Sequence, residues 1–378
     1  MRFVVPPKPV QVKPTPPGLM GLVEVDSLVR FEKAHDIATG FGVTVAVLDT
    51  GCFTEHLDFS PSDERIAARA NCMTDQTGDD VSDMSGHGTH VTGALAANGP
   101  HVGVAPACRI VPVKILLGTD DDKSAQIRAA IARGLNWVLD NAEAQDITVV
   151  CLSVGDDGNY ADDQDFAGDA VTDAVTDAVL ALAERNIPVV AAAGNFYGKF
   201  SKIEPVEGMC FPAILRQAVS VGAVYDQPCD NAAGRPCKLG PEYGSPSTQS
   251  SEPDQLTIYT QRMAKAAAGQ CGTDIFAPGS WVLSTGIDGD SGSSIVKQGT
   301  SQAAPIVAGV IALLQSLHLK HTGEKRPPIA ILKKIMSDTA VSISDDSLVT
   351  NVKVTNKTFL RVDAFAAVQE LARQLGEG

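Results

Sequence analysis

Five short runs of β-branched and small apolar residues recur along the chain with helical stretches between them, and this alternation narrows the fold more than any other feature. The runs are VTVAVLD (43–49), RIVPVKIL (109–116), ITVVCLS (147–153), IPVVAAAG (187–194) and AVSVGAV (218–224). Near-continuous apolar character, rather than strict alternation, is what a strand buried on both faces requires. HVTGALAAN (90–98), SAQIRAAIARGLNWVLDNAEA (124–144), GDAVTDAVTDAVLALAERN (168–186) and SQAAPIVAGVIALLQSLH (301–318) read as helices. In the third, Val171, Val175, Ala178, Val179 and Leu182 recur at helical spacing. Strand–helix–strand order predicts an α/β fold, three αβα layers around a mostly parallel, doubly wound sheet. The expected organisation is a proline-rich arm at 1–20 and one domain at 21–375. An excursion rich in Pro, Ser, Gly, Gln and Asp interrupts that domain at about 226–270.

Composition removes several function classes. The formal net charge is −15, with acidic runs at 120–122, 156–157 and 162–165, so no nucleic-acid partner is expected, because such a partner requires a basic surface. The start, MRFVVPPKPVQVKPTPPG, lacks the continuous apolar core of a secretory signal. The longest strongly apolar run, around 303–314, is well short of the roughly 20 residues a bilayer span needs. No membrane association is expected, and the cytoplasm is the expected compartment; secretion would require an export segment removed beforehand. The eight cysteines form no C-x-x-C pair, which argues against a zinc ribbon or a thioredoxin-like site.

In open parallel sheets, ligands bind beyond the carboxyl ends of the strands. Asp49 stands at such an end, before Thr50-Gly51. His87 sits between two glycines just before a helix, Ala193, Gly194 and Asn195 close another strand, and Ser301 opens an apolar helix with Pro305 four residues on. Each has an ordinary structural reading as a turn cap, a satisfied histidine, a tight turn or helix punctuation. Taken together, an acid, a histidine, a serine and an amide donor are what acyl transfer needs. The histidine takes the serine proton, the acid fixes its tautomer, and the donors hold the oxyanion. A metallohydrolase built on His87 and His90 with Asp49 or Cys72 is the rival, but the zincin pattern of two histidines four apart with a glutamate is missing.

AVLDTG (46–51), GHGTHVTG (86–93), AAAGN (191–195) and GTSQAAPIVAG (299–309), in that order, resemble the four signature stretches of the subtilases, the subtilisin-like serine proteases. The resemblance covers about residues 20–372. It implies a serine endopeptidase working through an acyl-enzyme, with Ser301 as nucleophile and His87 as base and then acid. Asp49 would orient His87, and Asn195 with the Ser301 N–H would form the oxyanion hole. Ser153, Val154 and Gly155, with Ala193 and Gly194, would bind an extended peptide or protein substrate, and CFPA (210–213) would line a pocket. The same chemistry would serve a dedicated maturation protease or an acyl transferase acting on one precursor peptide, and the fold would serve a catalytically silent binding module.

Departures from the family pattern are local. Gln302 stands where methionine is usual and Ile306 where histidine is usual. No cofactor is required. Asp58 keeps a carboxylate the family uses for calcium, but 97–106 looks shorter than the family's calcium loop, so no calcium site is assigned. The roughly twenty residues before the domain are too few for the family's inhibitory prodomain. The arm instead resembles the short regulatory extension of intracellular subtilisins, which implies self-regulation. GDDGN (155–159) faintly resembles an acidic stretch of kexin-like relatives, so Asp156-Asp157 would favour basic peptides. CGTDIFAPG (271–279) is similar to a segment of proteinase K-type subtilases, which implies a Cys210–Cys271 disulfide if the compartment is oxidising.

Overall fold

A computed structural model describes residues 22–60, 62–118, 124–164, 168–202, 206–228, 239, 243, 251–265, 269–288, 292–346 and 352–377. The arm at 1–20, most of the 226–270 excursion and the acidic run at 120–122 lie outside the described residues. The strands are β1 (Thr44–Asp49), β2 (Ala70–Asn71), β3 (Arg109–Lys114), β4 (Ile147–Leu152), β5 (Val189–Ala192), β6 (Val219–Val224), β7 (Ile275–Pro278), β8 (Val282–Thr285), β9 (Ser294–Lys297), β10 (Val341–Ser344) and β11 (Thr358–Arg361). The helices are α1 (Val23–Val29), α2 (Phe31–Ala34), α3 (Ser62–Arg65), α4 (His87–Ala96), α5 (Ser124–Asn141), α6 (Ala170–Glu184), α7 (Tyr197–Phe200), α8 (Thr300–Thr322), α9 (Ile329–Asp338) and α10 (Ala364–Gln374).

Nine strands form one sheet in the order β10-β11-β7-β6-β5-β4-β1-β3-β2, and β8 pairs with β9 in a separate hairpin. From β11 through β2 the pairings are parallel, and β10 adds an antiparallel edge. The chain lays β3 on one side of β1 and β4 on the other, so the winding reverses at β1. A crevice therefore opens at the carboxyl ends of β1 and β4.

Two cores explain why the interior of β1, Val45–Leu48, is apolar. Val45 and Val47 face one core with Val91 and Leu95 of α4 and Val307 and Ile311 of α8. Ala46 and Leu48 face the other, with Ile131 and Leu135 of α5 and Val175 and Val179 of α6. Side chains two apart share a face, so both faces are covered over Val45–Leu48, and polar residues stand only at the strand's two ends, Thr44 and Asp49. The three-layer α/β expectation holds. Helix α8 runs beyond the apolar stretch read at 303–314. At 23 residues it is long and apolar enough to cross a membrane by length and composition. In this fold it is a core helix, buried from Thr300 to Leu317. Mid-helix, the buried amide of Gln315 is matched by Thr148 of β4, accepting from Thr148 Oγ1 at 2.6 Å and donating to the Thr148 carbonyl at 3.0 Å.

Candidate active site

Asp49, the last residue of β1, is fully buried. One carboxylate oxygen, Oδ1, accepts from the Thr50 N–H and from His87 Nδ1, both at 2.7 Å. His87 is the first residue of α4 rather than the residue ahead of it, and its ring is enclosed. With Nδ1 holding its proton against Asp49, the lone pair of the neutral ring is on Nε2. The helix start is organised by Asp83, which the sequence reading did not single out. Its Oδ1 accepts from Thr50 Oγ1 at 2.8 Å and the Gly86 N–H at 2.8 Å, and its Oδ2 accepts from the Thr89 N–H at 2.8 Å. One acid thus caps the unpaired amides of α4 and ties them to the turn after β1. An aspartate four residues ahead of His87 was the visible signal.

Ser301 is the second residue of α8. The helix leaves from Gly299 at φ 147°, a backbone conformation that side chains rarely adopt. Pro305 lies beyond the first turn, where its missing N–H frees the carbonyl four residues earlier. That carbonyl belongs to Ser301, and Ser153 Oγ donates to it at 2.9 Å. The Ser301 hydroxyl in turn donates to the Ser153 carbonyl at 2.9 Å. Ser153 therefore locks the helix start to the end of β4. Asn195 Oδ1 accepts from the Thr300 N–H at 2.9 Å and Thr300 Oγ1 at 3.1 Å. This fixes the amide with Oδ1 on Thr300, so Nδ2 is the end of the amide able to donate, and a Cβ at Gly299 would lie 3.3 Å from it.

The stretches 153–155 and 193–194 end side by side, since Val150, Cys151 and Leu152 pair with Val189, Val190 and Ala191. Cys210 closes the space between them, its thiol donating to the Ala192 carbonyl at 3.2 Å. A Cβ at Gly155 would stand 2.4 Å from the Cys210 sulfur, and one at Gly194 would stand 2.1 Å from Gln261 Oε1. The packed Cys210 disfavours a side chain at Gly155, and φ 109° requires glycine at 194. Ser153, Val154 and Ala193 are buried, leaving Gly155 as the half-buried end of that wall. Gln261 was not anticipated; no nearby sequence pattern marks it.

Of the Asp156-Asp157 pair expected to favour basic peptides, Asp156 is turned into the protein rather than toward a substrate. It is buried, and Oδ1 accepts from the Phe211 N–H at 3.0 Å and the Gly158 N–H at 3.1 Å, while Tyr160 donates to Oδ2 at 3.1 Å. Burial outweighs these donors and pushes the carboxyl up to about 7. Asp156 thus shapes the 155–160 loop against the CFPA stretch, and Asp157 is the half-buried acid of the pair.

Asp58 is also enclosed. It accepts from the His101 N–H at 2.8 Å, His101 Nδ1 at 2.6 Å and Thr285 Oγ1 at 2.5 Å. Burial alone would raise its carboxyl, but the histidine hydrogen bonds hold it well below the usual range. These neighbours are donors, not the oxygen ligands calcium takes, so the residues around Asp58 do not fit that ion. The rival zinc arrangement is not assembled either. His90 Nε2 faces the Val282 carbonyl at 2.9 Å, and burial keeps the ring neutral. Cys210 and Cys271 are free thiols, as are the other described cysteines, so the implied disulfide is absent from this structure.

The subtilase family model matches residues 40–376. The major intracellular serine protease of Bacillus subtilis is 31% identical over 307 residues, covering 79% of this chain and 77% of that protein. Subtilisin-like protease 1 of Pseudogymnoascus destructans is 32% identical over 303 residues; this chain spans 58% of its length. Among solved structures, a psychrophilic protease superposes with a TM-score of 0.62 at 25% identity, covering 86% of this chain and 92% of that one. The prenylagaramide maturation protease PagA superposes with a TM-score of 0.59 at 22% identity, covering 90% and 97%.

Proposed function

The chain belongs to the subtilase family of serine proteases, and from that premise we propose that it cleaves peptide bonds through an acyl-enzyme on Ser301. The observation that carries this reading is the His87 Nδ1–Asp49 contact of 2.7 Å at the same sheet edge as the Ser301 helix start. An extended peptide lies between 153–155 and 193–194, and recognition through backbone hydrogen bonds makes it tolerant of sequence. Ser301 turns from the Ser153 carbonyl toward His87 Nε2 and attacks the scissile carbonyl carbon. Its proton passes to His87, and the oxyanion is held by Asn195 Nδ2 and the Ser301 N–H. The C–N bond breaks as His87 returns the proton to the leaving amine. Water then attacks the ester, giving its proton to His87, and Ser301 is regenerated.

A protease that trims one precursor peptide, or passes its acyl group to an amine, would use the same residues. The likeness to PagA supports the fold and does not carry that protein's task across. Incubation with a peptide library separates the readings: broad hydrolysis, abolished in Ser301→Ala, is expected. Cleavage confined to one sequence, or products carrying a new amide bond, would select the alternatives. No cleavage of any peptide would leave the binding module. We place the protein in the cytoplasm, in keeping with the relatives named intracellular proteases in Bacillus subtilis and Paenibacillus polymyxa. Cell fractionation tests this.

A further inference from the structure

Gln302 follows the serine and is fully buried. Its Nε2 stands 3.5 Å from His87 Nε2, while its Oε1 is buried with no hydrogen-bond partner. The side chain folds back over Gly299, where a Cβ would lie 3.1 Å from Oε1. The Ser301 hydroxyl, meanwhile, donates to the Ser153 carbonyl at 2.9 Å. The two partners of the proton transfer are thus each turned toward something else.

We infer that Gln302 is a positioning residue of the proton relay: its carboxamide N–H rests on the His87 Nε2 lone pair, and this latch must open before His87 can activate Ser301. The inference rests on the reading of Ser301 as nucleophile. The chemistry of the amide supports it. Asp49 fixes the His87 proton on Nδ1, so Nε2 of the neutral ring is an acceptor, and only the N–H end of the carboxamide matches it. A donor on that lone pair competes with any incoming proton for the same site. A thioether or alkyl side chain at this position would offer no such hydrogen. Among the described residues, the titratable groups that act on one another around this region include Asp49 on β1, Asp83 ahead of α4, His90 one turn along α4, Lys297 on β9 and Asp288. Lys297 is buried, and its ammonium is pushed down by that burial.

The test is the rate at which a fluorophosphonate modifies Ser301, followed from pH 5 to 9. In that reaction Ser301 Oγ displaces fluoride at phosphorus and its proton passes to His87. Removing one hydrogen bond in Gln302→Met is expected to speed modification roughly three- to tenfold at neutral pH. It is also expected to raise the acid-limb midpoint by about half a unit. Gln302→Glu places a carboxylate beside the ring, so its midpoint is expected to rise further while the neutral-pH rate falls. Should Gln302→Met fail to fold, this second variant carries the test through its midpoint. Modification of Gln302→Met at the wild-type rate with an unmoved midpoint, or a slower rate with an unmoved midpoint, overturns the latch alone. Failure of wild-type Ser301 to react overturns the nucleophile reading, and the latch with it.

Discussion

Each residue of the proposed catalytic set has one geometric duty, and substitutions separate these duties. Ser301→Ala and His87→Ala are expected to remove most turnover in protein that still folds cooperatively, as checked by peptide hydrolysis beside thermal melts. Asn195→Ala is expected to leave KM nearly intact and lower kcat by roughly 10²–10³, a magnitude borrowed from the equivalent asparagine of subtilisin. Full turnover in that variant would remove Asn195 from the oxyanion hole. The four principal residues were legible because each ends an apolar element in a short run of small residues. Asp83 left a local signal, an acid just ahead of the His87 helix, whereas the bond of Ser153 to the Ser301 carbonyl and the packing of Gln261 on Gly194 join residues remote in sequence, which no local pattern encodes. Gln302 was visible only as a departure from a family pattern; its contact with His87 appears only in three dimensions.

At the scale of elements, two local assemblies hold the site. In the first, Pro305 breaks the ladder of α8 and Ser153 satisfies the carbonyl so exposed. Ser153→Ala would leave a buried acceptor unpaired, and a loss of about 1–3 kcal/mol of stability is expected in urea unfolding. Ser153→Thr, which keeps the hydroxyl, is expected to lose less. In the second, Asp156 organises the 155–160 loop. Its folded value near 7 lies above the usual carboxylate value. The folded chain therefore binds this proton more tightly than the unfolded chain, and the stability gained is complete below about pH 4. It is lost as pH rises toward 7, up to a ceiling of about 4 kcal/mol for a shift of roughly three units. Asp156→Asn keeps the acceptor without the charge. Its melting point relative to wild type is expected to rise between pH 4.5 and 8, and a constant difference would contradict the buried-acid account. Helix α4 began three residues earlier than its apolar pattern suggested, because Asp83 caps amides that precede the first apolar residue. The strands β7 to β11 are four residues each and, unlike the equally short β5, are not embedded in a longer apolar run that would declare them.

Across the whole molecule, the architecture follows from strands that are apolar on both faces and helices long enough to cover them. The winding reversal at β1 then determines where chemistry can occur. β1 brings Asp49, β4 leads to Ser153, β5 leads to Asn195, and α4 and α8 point their first turns at the same edge. The sheet order itself was not legible, since parallel pairing depends on crossovers and not on any property of a single strand. The central claim is that Ser301 becomes covalently acylated during turnover. Acid quenching of the enzyme in the first turnovers of an activated ester, followed by peptide mass analysis, tests it most directly. One acyl group on the peptide carrying Ser301 is predicted, and none when His87 is replaced by alanine; an adduct elsewhere, or hydrolysis that survives Ser301→Ala and stops with a chelator, would contradict it.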